Sequence, residues 1–351
     1  MQNPLRTERM SRLSMERGLW RGALLLGLVL LAPSALTAQS CTTQAAMTAA
    51  DRDGLAQAAQ SFARLVQAND AAGVRAETIP AYAQNFDSIG SAIASTAPRL
   101  ADSTLQVTSV YLLDAGASTA AADTQFFCNP ANSAGPVTFS LPALPPGRYA
   151  FATVLAGPQR PWQLSFVLQQ TTGKWLLAGF IPKPAAAGEH DGLWYWTQAR
   201  TYARQGQRWN AALYYGEADA LLAPVNFVSS PNRDKLHAEQ EDATPAPLAN
   251  GVSAEHPLSV PAIAPGAAAI EITALGTQES TDGRSIELAV HTPVSSVSDP
   301  AGVRVRSMAV LLALLKQYPE LRSAFGGAWM YADSPGQSSF AIEFNPLPPA
   351  E

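Results

Sequence analysis

The residues of this chain whose types and spacing are suited to chemistry fall in three places. His190-Asp191-Gly192 sets an imidazole beside a carboxylate, the pairing that acid–base catalysis uses because a neighbouring charge tunes imidazole near neutrality. A local reading competes with it: Asp191 caps the helix that follows, and His190 is merely next to it. Directly downstream come Trp194, Tyr195 and Trp196, and further on Trp209, Tyr214 and Tyr215. Adjacent helical residues point about 100° apart, so Trp194 and Trp196 cannot share a face. One face of such a helix closes a core, and another packs on the preceding domain or walls a pocket. His190, Asp191, Trp194, Trp196 and Trp209 are therefore the candidate ligand or interaction residues.

The third place is the pair Cys41 and Cys128, the only cysteines of the chain. In an oxidising compartment they form a disulfide. Alternatively, Thr37-Ala38-Gln39-Ser40-Cys41 is a degenerate lipobox and Cys41 carries a lipid anchor, although Ala38 stands where a good lipobox has a large aliphatic residue.

What is missing narrows the chemistry. The sequence has no G-x-S-x-G, no G-x-x-x-x-G-K-[ST], no G-x-G-x-x-G after a strand and no H-E-x-x-H. His190, His237, His256 and His291 lie in separate segments without ligand spacing. Asp51-Arg52-Asp53-Gly54 begins like a calcium loop but lacks the third acid, so it reads as a helix start. No catalytic residue, metal site or cofactor is expected. A net charge of −5 argues against a nucleic-acid partner, and leaves an unknown protein or small ligand.

These residues need elements to position them. The first 40 residues read as a signal peptide, with Arg6, Arg9, Arg12, Arg17 and Arg21 ahead of an apolar run from Ala23 to Ala32 and small residues after Pro33. The run is half of what spans a bilayer, so cleavage after Ala38 and no later transmembrane segment are expected. The expected location is periplasmic or extracellular, or the outer membrane if Cys41 is lipidated. Beyond the signal, 47% hydrophobic and 15% charged residues in a chain of 351 are enough for more than one core.

Periodicity predicts helices over 48–69, 70–79 and 81–94, then strands over 105–113, 125–128, 137–141, 148–155, 162–169 and 174–181. The closing hairpin has the form W-x-L-x-F-x-L…G-K-W-x-L-x-G-F, carried by Trp162, Leu164, Phe166, Leu168, Gly173, Lys174, Trp175, Leu177, Gly179 and Phe180. Helices leading into such a meander resemble the NTF2-like superfamily over about 48–182. The resemblance implies an α+β cone that often encloses a pocket, in whose catalytic members Asp and His act. No motif here carries those roles to numbered positions.

Residues 185–241 read as a helical hairpin with one further helix. Ala199, Tyr202, Gly206, Ala211, Tyr215 and Ala218 resemble one tetratricopeptide unit, with Trp209 and Pro224 each one place late. A lone unit cannot form a solenoid, so the hairpin must pack on something else, for which the first domain, 41–184, is the expected support. Residues 242–266 hold five prolines and read as a linker. Residues 267–351 read as a small ββαββ domain whose helix is capped by Asp299 and opened by Pro300. The expected fold class is thus α+β: NTF2-like cone, helical hairpin, then a small ββαββ domain. The chain as a whole also resembles a family of exported bacterial proteins sharing the stretches Phe126-Phe127-Cys128, Pro145-Pro146-Gly147-Arg148-Tyr149 and His190 to Trp196. That resemblance implies export and carries no activity. The expected function is an exported, non-enzymatic binding or scaffold protein. The alternative is a small-molecule enzyme with an acid–base pair in an NTF2-like pocket.

Overall fold

The structure is a computed structural model that describes residues 39–131, 133–157 and 160–349. Of the stretch read as an export signal, residues 1–38, up to the expected cleavage point, lie outside the described residues. In the first half, β1 (Ser40–Thr43) leads into α1 (Ala49–Gln67), α2 (Ala71–Ala76), α3 (Pro80–Ala83) and α4 (Asp87–Thr96). The third predicted helix is two, because the chain turns at Gln84–Phe86. Thr48 starts α1 by accepting from the Asp51 amide, the side-chain cap that satisfies an otherwise orphaned donor.

Six strands follow: β2 (Leu105–Asp114), β3 (Ala122–Cys128), β4 (Val137–Leu144), β5 (Arg148–Ala156), β6 (Trp162–Thr171) and β7 (Lys174–Pro184). They divide between an antiparallel sheet of order β1-β2-β5-β6-β7 and a smaller sheet in which β4 pairs with β3. The inner face of the larger sheet meets α1 and α4. There Leu55, Phe62 and Ile93 pack on Leu164, Phe166 and Leu168. The Cys41–Cys128 disulfide, with Cα atoms 5.2 Å apart, ties the first strand to β3.

Next come β8 (Ala186–Ala187) and β9 (His190–Asp191), a two-residue ladder, and the hairpin α5 (Gly192–Arg204) and α6 (Arg208–Leu222). The chain then forms β10 (Val228–Ser229), which adds to β4, and α7 (Pro231–Ala243). The last stretch contains β11 (Leu258–Val260), β12 (Ile270–Ile272), β13 (Ala274–Glu279), β14 (Ile286–Pro293), α8 (Pro300–Gln317), α9 (Leu321–Ala324), β15 (Ala328–Asp333) and β16 (Phe340–Phe344). Strands β13 to β16 form one sheet in chain order, with β14 and β15 parallel. A parallel pair needs a crossover, which α8 supplies. Asp299 caps α8 through the Gly302 amide, and Pro300 opens it.

Two expectations about packing are corrected. The hairpin's main support is the last sheet and not the first domain. Tyr195, Trp209, Tyr214, Leu288, Val290, Leu311 and Met330 share one buried cluster. The end of α6 and the stretch leaving it also reach the first half, where Lys183 bonds the Leu221 carbonyl and Val225 and Val228 pack with Phe139 and Phe151. The segment 242–266, read as a linker, supplies β11, whose Leu258 and Val260 are buried in the hairpin's cluster. Its prolines keep it extended, and an extended segment is what pairs with β12. The described residues form one compact unit.

Candidate functional site

The two halves meet at loops from four separate places in the sequence. They are the turn after α4, the β6 approach at Arg160, the tip of the β8–β9 ladder, and the turn between β13 and β14. Two glycines allow this meeting. A Cβ on Gly188 would lie 2.7 Å from the Ser285 backbone, and one on Gly283 would lie 2.2 Å from the Arg160 guanidinium. Both also have positive φ, which glycine adopts without steric cost. Arg160 Nη2 donates to the Asp282 carbonyl at 3.0 Å, joining the halves.

The loops border an open cleft of about 890 Å3 lined by Arg99, Asp102, Ser103, Gly157, Arg160, Glu189, Asp282 and Arg284, whose charged residues are all exposed. A narrower space of about 330 Å3 continues from Arg99 and Arg160 toward Trp162 and Glu279. Three guanidinium groups and three carboxylates thus face one cleft. Among the described residues, no two of them form an ion pair within 4 Å. The Asp282 carboxyl is held below the usual range by the Ser280 hydroxyl and the Arg284 amide, helped by the charges of Arg284 and Arg160. It is therefore ionised at neutral pH. Glu189 sits at the ladder tip with φ of 66°, a conformation that costs a non-glycine residue on the order of 1 kcal/mol.

Behind the cleft, half-buried polar groups tie neighbouring elements together. Glu279 accepts from the Gly188 amide at 3.2 Å, and Thr277 Oγ1 donates to Glu217 at 2.5 Å. Burial raises the Glu217 carboxyl, although the Thr277 bond opposes it. Lys183 of β7 donates to the Ala220 and Leu221 carbonyls at the end of α6, where the helix dipole favours a cation. Burial lowers this amine to about 8.

The five residues singled out from the sequence are not brought into one site. Asp191 caps α5 by accepting from the Trp194 amide at 2.8 Å, the local reading. His190 lies flat on Trp194, with ring centroids 3.6 Å apart and planes within 4°. Trp196 is on another face, where Nε1 donates to Glu239 and Arg200 stacks over the indole at 4.3 Å. Arg200 also grips Glu239 through two nitrogens. Trp209 stacks on Tyr318 at 3.7 Å and is buried. These are packing roles, as aromatics at helical spacing usually have.

The space between the first helices and their sheet is filled by apolar side chains, with Phe62, Phe166 and Phe180 ring to ring. His190 and Asp191 lie outside that layer, on the ladder that leaves β7. Trp196 also borders an apolar pocket of about 190 Å3 that ends at Asp219 and Arg233. There Arg233 already holds Asp219 through two nitrogens and donates to the Val228 carbonyl. Burial raises the Asp219 carboxyl, but Arg233 and His237 hold it below its ordinary value. Those charges satisfy one another.

Sequence reasoning missed Arg99, Asp102, Arg160, Glu189, Asp282 and Arg284. Each is a single charged residue in a turn, and they are brought together only by the tertiary fold. The one local signal is Thr281-Asp282-Gly283, which forms the turn between β13 and β14. Compared with protein-family models, curated proteins and solved structures, the chain matches none of them.

Proposed function

We propose that the protein is an exported binding protein, working in the periplasm or outside the cell, that takes a small bipolar ligand into the cleft between its halves. Export is supported by the sequence signal and by the Cys41–Cys128 disulfide, since disulfides persist in oxidising compartments. A sulfur held in that bond is not free to carry lipid. On this reading the first half is an NTF2-like cone used as packed scaffold: its helix–sheet layer holds aromatic and aliphatic side chains where a pocket would need space and polar groups.

The observation that carries the proposal is the set of three arginines and three carboxylates facing one cleft without pairing among themselves. Opposite charges left apart match a ligand that has both, such as a free peptide with its carboxylate and ammonium ends. Arginine suits the carboxylate because its planar fork bonds both oxygens.

Calorimetric titration with triglycine, N-acetyl-triglycine and triglycine amide tests this reading. Triglycine is expected to bind at least about tenfold more tightly than either blocked form, the loss of one charge-assisted hydrogen bond. Arg160→Ala should weaken it by a similar factor. Equal affinity for all three peptides, or none, would contradict the assignment.

A further inference from the structure

The β13–β16 sheet has two unlike faces. One carries Leu288, Val290 and Met330 into the core beneath α8. The register places Gln278, Glu287, His291, Trp329, Tyr331 and Glu343 on the other. The helices in main contact with this sheet, α6 and α8, touch it from the core side, and His291, Trp329 and Tyr331 on the second face are half-exposed.

Its surface is paved with rings. The Trp329 indole reaches from β15 across β14 to donate to the Glu279 carbonyl of β13. The Tyr331 hydroxyl crosses likewise to Gln278 Oε1, at 2.5 Å. His291 stacks on Tyr331 with centroids 4.4 Å apart and planes 7° apart, and Trp329 and Tyr331 are within 24° of parallel. Ala289, Gly276 and Ala341 are the intervening positions, and they are too small to cover the rings. At the two ends of this row lie Asp333, bonded to His291 Nδ1 at 2.9 Å, and Glu343, bonded to the Thr281 amide and hydroxyl. Beyond Glu343, at the end of the row away from Asp333, Glu287 is buried, with one oxygen accepting from Asn345 and the other without a donor. No strand residue directed to this face is Lys or Arg.

We propose that this open, aromatic and acidic sheet face is a docking surface for a cationic peptide segment, whose arginine side chains lie over Trp329 and Tyr331 and end at Asp333 and Glu343. Aromatic faces attract cations through their quadrupole, guanidinium stacks on them best, and flanking carboxylates supply the complementary charge. The inference is independent of the cleft.

The test is calorimetric titration with an N-acetylated, C-amidated hexa-arginine peptide at 50 mM salt, with a chitin tetrasaccharide as the neutral stacking probe. Hexa-arginine is expected to bind, and to bind at least tenfold more weakly to Tyr331→Ala and to Asp333→Asn. Asp234→Asn, on α7, removes one negative charge elsewhere and should leave the affinity unchanged. The Asp333 variant keeps the rings, so the test survives if Tyr331→Ala fails to fold. Absent binding, equal weakening by Asp234→Asn, or binding of the tetrasaccharide with none of hexa-arginine would each overturn the proposal.

Discussion

Glu287 is the charged residue with no solvent exposure in the described structure, and its behaviour follows from its surroundings. Burial and the neighbouring Glu343 push its carboxyl up to about 7, with the Asn345 amide opposing. Glu343 itself is held low by the Thr281 hydroxyl and amide. Below the ordinary carboxylate range Glu287 is neutral in both the folded and unfolded chain, and its burial costs least. As pH rises from about 4.5 to 7 the unfolded chain loses this proton first, so stability falls across that window. Glu287→Gln mimics the protonated carboxyl and should remove this slope. Urea melts at pH 5 and pH 8 are expected to show the variant gaining on the native protein by about 2 kcal/mol at the higher pH. An unchanged difference between the two pH values would contradict the account. None of this was visible in the sequence, where Glu287 is one polar position in a strand pattern.

At the scale of elements, α6 is the member on which most else leans. Nearly its whole circumference is buried, from Trp209 through Tyr215 to Leu221, and α5, α7, α9, β9 and β13 touch it. Trp209→Ala should therefore destabilise the protein by about 3 kcal/mol, the cost of a large cavity, and do so in one cooperative transition. Separate melting of a residual C-terminal unit would show that the hairpin and last sheet do not share a core. The elements themselves were legible: apolar spacing gave α1 and the β6–β7 hairpin nearly to their ends, and Asp191 and Asp299 were readable as caps because a cap is local. The short pieces were not. Strands β1, β8, β9, β10 and β11 are two to four residues long and exist because a neighbouring chain offers them hydrogen bonds. The prolines of 242–266 announced an extended chain, and whether an extended chain is a linker or a strand depends on what lies beside it.

Across the whole molecule, the two halves are fixed to each other by Arg160 on Asp282, Glu279 on Gly188 and Lys183 on the end of α6. Contacts of that kind hold the walls of the cleft in register before a ligand arrives, and prior order of this sort limits the entropy lost on binding. The candidate site was the least legible feature because its charges come from four turns spread along the chain, each unremarkable alone. The aromatic cluster that drew attention in the sequence instead builds the core between hairpin and sheet. The central claim, a bipolar ligand held between the halves, is tested most directly by amide chemical-shift mapping of isotope-labelled protein with triglycine. The account predicts shifts clustered at residues 99–103, at Arg160, at 188–189 and at 279–285. Shifts absent there, or concentrated among the residues of the first helix–sheet layer, would contradict it.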